Sequence, residues 1–180
     1  MRLFVALPIP APVRARLDEL VAVLRDRHPE LRWSAPDGWH ATLAFLGAVA
    51  DERLGEVVDA VTRAARRTGL PDELRLGAPG RFGRRVLWVE LSATPEASLA
   101  RLGTCIQDEL ESAGLAVDRR EVRGHLTLAR AKRAAVDATL VDEVTVPDAA
   151  WPCRAVEVWS STLGRGPARY AVEASVTADS

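Results

Sequence analysis

Two of the three histidines in this 180-residue chain open the same phrase, His40-Ala41-Thr42-Leu43 and His125-Leu126-Thr127-Leu128. The phrase is His, apolar, Thr, apolar. Such alternation reads as a β-strand, whose successive side chains point to opposite faces. His40 and Thr42 therefore share one face, with Ala41 and Leu43 behind them. His125 and Thr127 do the same, backed by Leu126 and Leu128. The copies stand 85 residues apart, close to half the chain. A fold that carries one such strand in each half can turn two imidazoles and two hydroxyls toward one cleft. Taken singly, each histidine reads first as a structural residue with a local hydrogen bond. The recurrence points to a shared site.

The rest of the chain supplies a frame of mixed elements. Leu3 to Leu7 is a short apolar run, read as a buried strand that ends at Pro8. Val13, Leu17, Leu20, Val21 and Leu24 keep helical spacing. Trp39 to Leu46 is the first motif strand. Asp51 is expected to cap a second helix carrying Leu54, Val57, Val58 and Val61, which Gly69 and Pro71 end. Gly80 to Arg85 reads as a turn before a strand over Val86 to Leu91. Thr94-Pro95 is expected to open a third helix, with Leu99, Leu102, Ile106 and Leu110 facing the core and Gly114 closing it. His125 to Ala129 is the second motif strand. A weaker helical pattern over Val136 to Val144 and two strands, Ala155 to Ser161 and Arg169 to Val176, complete the order. This order predicts an α+β fold with the motif strands central. The half-chain spacing predicts one domain over residues 1–180, made of two similar lobes related by a pseudo-twofold axis.

Composition narrows the partners. The net charge is −1, so no global field draws the chain to nucleic acid or to an anionic membrane. Recognition of one phosphate or one chain end stays open. Positive charge comes from 23 Arg and one Lys, Lys132. Arginine suits bidentate phosphate binding, although a GC-rich coding bias explains the excess more simply. Cys105 and Cys153 fit neither a disulfide framework nor a metal site, which predicts a reducing, cytoplasmic setting. No apolar run approaches membrane-spanning length. A monomer is the default.

The motif face has a definite chemistry. One imidazole can accept a proton while another donates one near neutral pH. A cyclic phosphodiester needs that pair: a base for the attacking water and an acid for the departing sugar oxygen. Thr42 and Thr127 can donate hydrogen bonds to the non-bridging oxygens. The scheme needs no metal or other cofactor. No His-Glu-x-x-His, paired Cys, P-loop or Gly-x-Ser-x-Gly elbow occurs in the chain. His28 reads as a solvent-facing helix-end residue. Phe82, Arg84 and Arg85 read either as contacts to a base or backbone or as an exposed turn. Trp88 and Trp159 read as core. Which histidine is acid and which is base is not fixed by the near-symmetric phrases.

Trp39-His40-Ala41-Thr42-Leu43-Ala44-Phe45-Leu46-Gly47 and Gly124-His125-Leu126-Thr127-Leu128-Ala129-Arg130 resemble the paired motifs of the two-histidine phosphoesterase superfamily. The likeness is to its RNA 2′,3′-cyclic phosphodiesterase branch, also called 2′-5′ RNA ligase. Arg2 to Leu7, Arg84 to Trp88, and Ser160-Ser161 with Gly166 and Arg169-Tyr170 resemble that branch's opening, middle and closing segments. The resemblance implies a bilobal α+β fold, two mostly antiparallel sheets around a central groove with helices on the outer faces. It implies metal-independent hydrolysis of RNA 2′,3′-cyclic phosphate ends, single-stranded or tRNA-derived, to 2′-phosphates, with weak reversible 2′-5′ ligation. His40 would then be the proton donor and His125 the acceptor, with Thr42 and Thr127 beside them. Arg130 matches an arginine that follows the second motif and would bind substrate, although strand parity places it opposite His125 unless the strand ends at Ala129. Gly124 stands where the family often has Pro, which predicts a looser approach to the strand. A phosphodiesterase for another cyclic nucleotide or a 2′-5′ oligonucleotide, and a non-catalytic phosphate-binding module, fit the same residues.

Overall fold

A computed structural model of the chain describes residues 1–131, 135–162 and 168–177. Lys132 and Gly166 lie outside the described residues. The strands are β1 (Arg2–Pro8), β2 (Leu31–Trp33), β3 (His40–Ala48), β4 (Glu73–Phe82), β5 (Val86–Thr94), β6 (His125–Ala131), β7 (Ala150–Pro152), β8 (Val156–Thr162) and β9 (Arg169–Val176). The helices are α1 (Ala11–Arg27), α2 (Leu54–Thr68), α3 (Ser98–Ser112) and α4 (Ala138–Glu143). None of the described helices is long and apolar enough to cross a membrane.

The strands form two antiparallel sheets, one ordered β3-β1-β8-β9 and the other β2-β6-β5-β4-β7. The motif strands are therefore not central: β3 is an edge strand and β6 lies second from an edge. That marginal placement lets them approach each other across the space between the sheets. β1 is buried on both faces, as its unbroken apolar run requires. Leu3, Val5 and Leu7 join the main core, while Phe4 and Ala6 join a small cluster with Trp159. The main core draws on both sheets. Helix α3 packs against both β3 and β5 and so ties the sheets together, with α2 laid on α3.

Four local expectations change. Asp51 does not cap α2: residues 51–53 form a 3-10 turn, and the Asp51 carboxylate meets the Met1 amino group at 2.7 Å. Thr94 closes β5 instead of capping α3, which starts at Ser98. The turn between β4 and β5 is only Gly83 to Arg85, so Gly80 and Phe82 are strand residues. His28 is half-buried rather than solvent-facing, its ring 3.2 Å from the Glu30 carboxylate and 3.7 Å from that of Glu143.

Candidate active site

Both motif strands carry the same irregularity. Against β1, Thr42 pairs with Ala6 and Ala44 with Val5, so Leu43 is an extra residue. Against β5, Thr127 pairs with Trp88 and Ala129 with Leu87, so Leu128 is an extra residue. Each is a β-bulge, which resets the alternation of side chains. Leu43-Ala44 and Leu128-Ala129 are consecutive buried residues, and the next side chain returns to the motif face. The bulge brings Phe45 to the face of His40 and Thr42. It brings Arg130 to the face of His125 and Thr127, which corrects the parity expectation without ending the strand at Ala129.

The bulge carbonyls are anchored from outside their ladders. Ser34 N donates to Leu128 O at 2.8 Å. The Gln107 amide donates to Leu43 O at 3.0 Å and to Arg120 O at 3.1 Å. Gln107 sits on α3 and is 3% exposed. The loop before His125 is also held by Asp118 N donating to Phe45 O at 2.8 Å. Val122 packs where a side chain on Gly103 of α3 would otherwise stand. At the other end, Leu91 N donates to Gly124 O at 2.9 Å. A Cβ at position 124 would lie 2.0 Å from Leu91 O. Gly124 thus permits a close approach of two backbones and does not loosen it.

The two imidazoles are held alike. His40 Nδ1 is 2.7 Å from Gly38 O, and His125 Nδ1 is 2.8 Å from Arg123 O. A carbonyl only accepts, so each Nδ1 carries the proton and donates it. Each Nε2 is left to accept in the neutral ring or donate in the charged one. Both rings line one cavity of about 770 Å³ together with Thr42, Arg32, Arg130 and Tyr170. An adjoining arm of about 480 Å³ shares those residues and adds Thr127. The five site residues named from the sequence are therefore brought together.

Aromatic walls surround each ring. The His40 centroid lies 4.6 Å from that of Phe4, 5.4 Å from Trp159 and 5.3 Å from Tyr170. Phe82 meets His125 edge-on at 4.9 Å, with Trp88 at 6.3 Å. Trp88 is half-buried on this face rather than in the core, and Gly80 makes room for its ring. Arg84 and Arg85 do not line the cavity. Burial pushes the His40 pKa down to about 4, the Gly38 bond opposes that shift, and His125 and Arg130 add smaller depressions. Burial also lowers the His125 pKa, and Arg130 adds to it. Both shifts favour the neutral ring. Among the described residues, no three His, Cys, Asp or Glu side chains form a group able to hold a metal ion.

Phe4, Arg32, Phe45 and Gln107 were not legible as site residues. Their placement depends on sheet pairing and on the bulges, for which the sequence carries no local signal.

The model of the 2′-5′ RNA ligase superfamily matches residues 9–165 of this chain. An Escherichia coli protein named RNA 2′,3′-cyclic phosphodiesterase is 30% identical over 175 residues, 94% of this chain and 92% of the relative. A relative of the same name from Geobacillus stearothermophilus is 28% identical over 131 residues, and the match spans only 41% of its length. The crystal structure of a Thermus thermophilus protein superposes with a TM-score of 0.80 at 25% identity, covering 98% of this chain and 97% of that one. E. coli LigT complexed with 3′-AMP gives 0.71 at 29% identity, with the same coverage. Family match, fold and paired motifs agree, and the chain belongs to the 2′-5′ RNA ligase superfamily.

Proposed function

We propose that this chain hydrolyses RNA 2′,3′-cyclic phosphate ends to 2′-phosphates, with His40 as general acid and His125 as general base and with no metal. Water attacks phosphorus as His125 Nε2 takes its proton. The P–O3′ bond breaks as His40 Nε2 gives its proton to O3′. The products are a 3′-hydroxyl and a 2′-phosphate, and solvent restores the two rings. Thr42 and Thr127 donate to the non-bridging oxygens as charge gathers there. Arg130 binds substrate from the edge of the same face. An RNA 5′-hydroxyl in place of water would give a 2′-5′ linkage by the same steps.

The observation that carries this reading is the matched anchoring of the two Nδ1 atoms, which leaves both Nε2 atoms for one cavity. The names of the relatives support the substrate class. The division of roles rests on family resemblance. The buried His40 ring holds its proton weakly, so an arriving phosphate anion must raise its pKa before it can act as acid. We read residues 1–180 as one domain of two lobes, on the strength of the matching strand, bulge and histidine anchor in each. We also read it as a cytoplasmic monomer, consistent with its free cysteines.

The test is end analysis of an RNA oligomer bearing a 2′,3′-cyclic phosphate. His40→Ala and His125→Ala should each lower the rate by at least about a hundredfold, and Thr42→Ala and Thr127→Ala by about tenfold or more. EDTA should leave the rate unchanged. A 3′-phosphate product, undiminished turnover by both histidine variants, or loss of activity with chelator would refute the reading.

A further inference from the structure

The bulge at Leu128 has a consequence on the neighbouring strand. In the β2–β6 ladder Arg32 stands directly opposite Arg130. Like charges placed opposite each other across two strands are unfavourable. Both arginines are exposed, and both line the two arms of the cavity that share His40, Thr42 and His125. Three other rim arginines are matched within the chain. Arg120 pairs with Asp118 at 2.6 Å and Arg123 with Glu121 at 2.8 Å, while Arg2 lies over the Phe45 ring at 4.8 Å. Among the described residues neither Arg32 nor Arg130 has an ion pair or a hydrogen bond from its side chain. An opposed pair of this kind is relieved by an anion lying between the guanidinium groups.

We propose that Arg32 and Arg130 together seat a second phosphate of the RNA chain, next to the reacting cyclic phosphate, so that the site favours an oligonucleotide end over a lone nucleoside cyclic phosphate. The inference rests on the function proposed above and deepens it. Arg130 is near enough to the reacting centre to depress both imidazoles, and Arg32 is not among the charges that do. Arg32 lines both arms of the groove from the strand beside Arg130. Phosphate contacts of this kind set position and carry no base preference. The competing reading is a solvated charge guarding the edge strand β2.

The experiment compares kcat/KM on a nucleoside 2′,3′-cyclic phosphate and on a dinucleotide ending in the same group, for wild type, Arg32→Gln and Arg32→Lys. The preference for the dinucleotide should fall at least about tenfold in Arg32→Gln, the scale of one charge-assisted hydrogen bond. Arg32→Lys should fall between, since it keeps the charge and loses the fork. An unchanged preference overturns the proposal, as does an equal loss on both substrates. A second arm titrates the 2′-phosphorylated mononucleotide and dinucleotide products calorimetrically across salt concentrations. The salt slope for the dinucleotide alone should shrink by about 0.7 in Arg32→Gln. If wild type turns over neither substrate while that slope difference persists, the hydrolytic reading fails and the phosphate seat stands. If wild type turns over both and the slope does not change, the seat fails and the reaction stands.

Discussion

Replacing Gln107 by leucine isolates what holds the two motifs in register. The side chain keeps its bulk and loses both donors. Leu43 O and Arg120 O then lose the bonds now made at 3.0 and 3.1 Å. A buried carbonyl stripped of its partner costs about 1–3 kcal/mol. Arg120 O is only partly buried, and the leucine gains some apolar burial, so the net loss is about 2–4 kcal/mol. For a chain of this size that lowers Tm by about 5–15 °C. The functional loss should exceed the stability loss. Leu43 is the bulged residue between Thr42 and Phe45, and Arg120 lies in the loop that delivers His125. Thermal unfolding followed by circular dichroism gives the first quantity. Steady-state kinetics at a temperature where the variant is fully folded gives the second, with kcat expected to fall more than tenfold. A variant that melts with wild type and keeps its kcat would refute the claim that this amide sets the spacing of the motifs.

The pH dependence has a definite sign. The working state needs His40 protonated and His125 neutral, and both free-enzyme pKa values lie below 6.5, that of His40 at about 4. The bell in kcat/KM should therefore peak on the acid side of pH 6.5, falling above it as His40 loses its proton and below it as His125 gains one. Bound phosphate favours the charged rings, so the kcat profile should lie at higher pH than that of kcat/KM; a kcat/KM optimum above about pH 7 would contradict this. Gly124→Ala places a Cβ 2.0 Å from a main-chain oxygen, so urea titration should show a loss of about 1–3 kcal/mol, together with reduced turnover because His125 is the next residue.

Alternation with a period of two is a local property, and it was enough to place His40 with Thr42 and His125 with Thr127. Helical spacing likewise located α1 and α2, whose buried stripes include the expected Val13, Leu17, Val21 and Leu24, and Val57 and Val61. The three-residue strands β2 and β7 carry too few residues for any period to register. An extra residue in a strand also leaves no trace in an apolar run. The bulges at Leu43 and Leu128 therefore escaped a parity argument that sent Arg130 to the wrong face.

Each motif by itself fixed the reacting groups and the face they share. Their meeting was decided elsewhere, because the two strands belong to different sheets and exchange no ladder hydrogen bonds. Their spacing comes from α3 packed on both sheets and from Gln107 joining one motif to the approach of the other. Contacts between residues so distant along the chain are set by how whole elements pack, and no periodicity within one element can encode that distance.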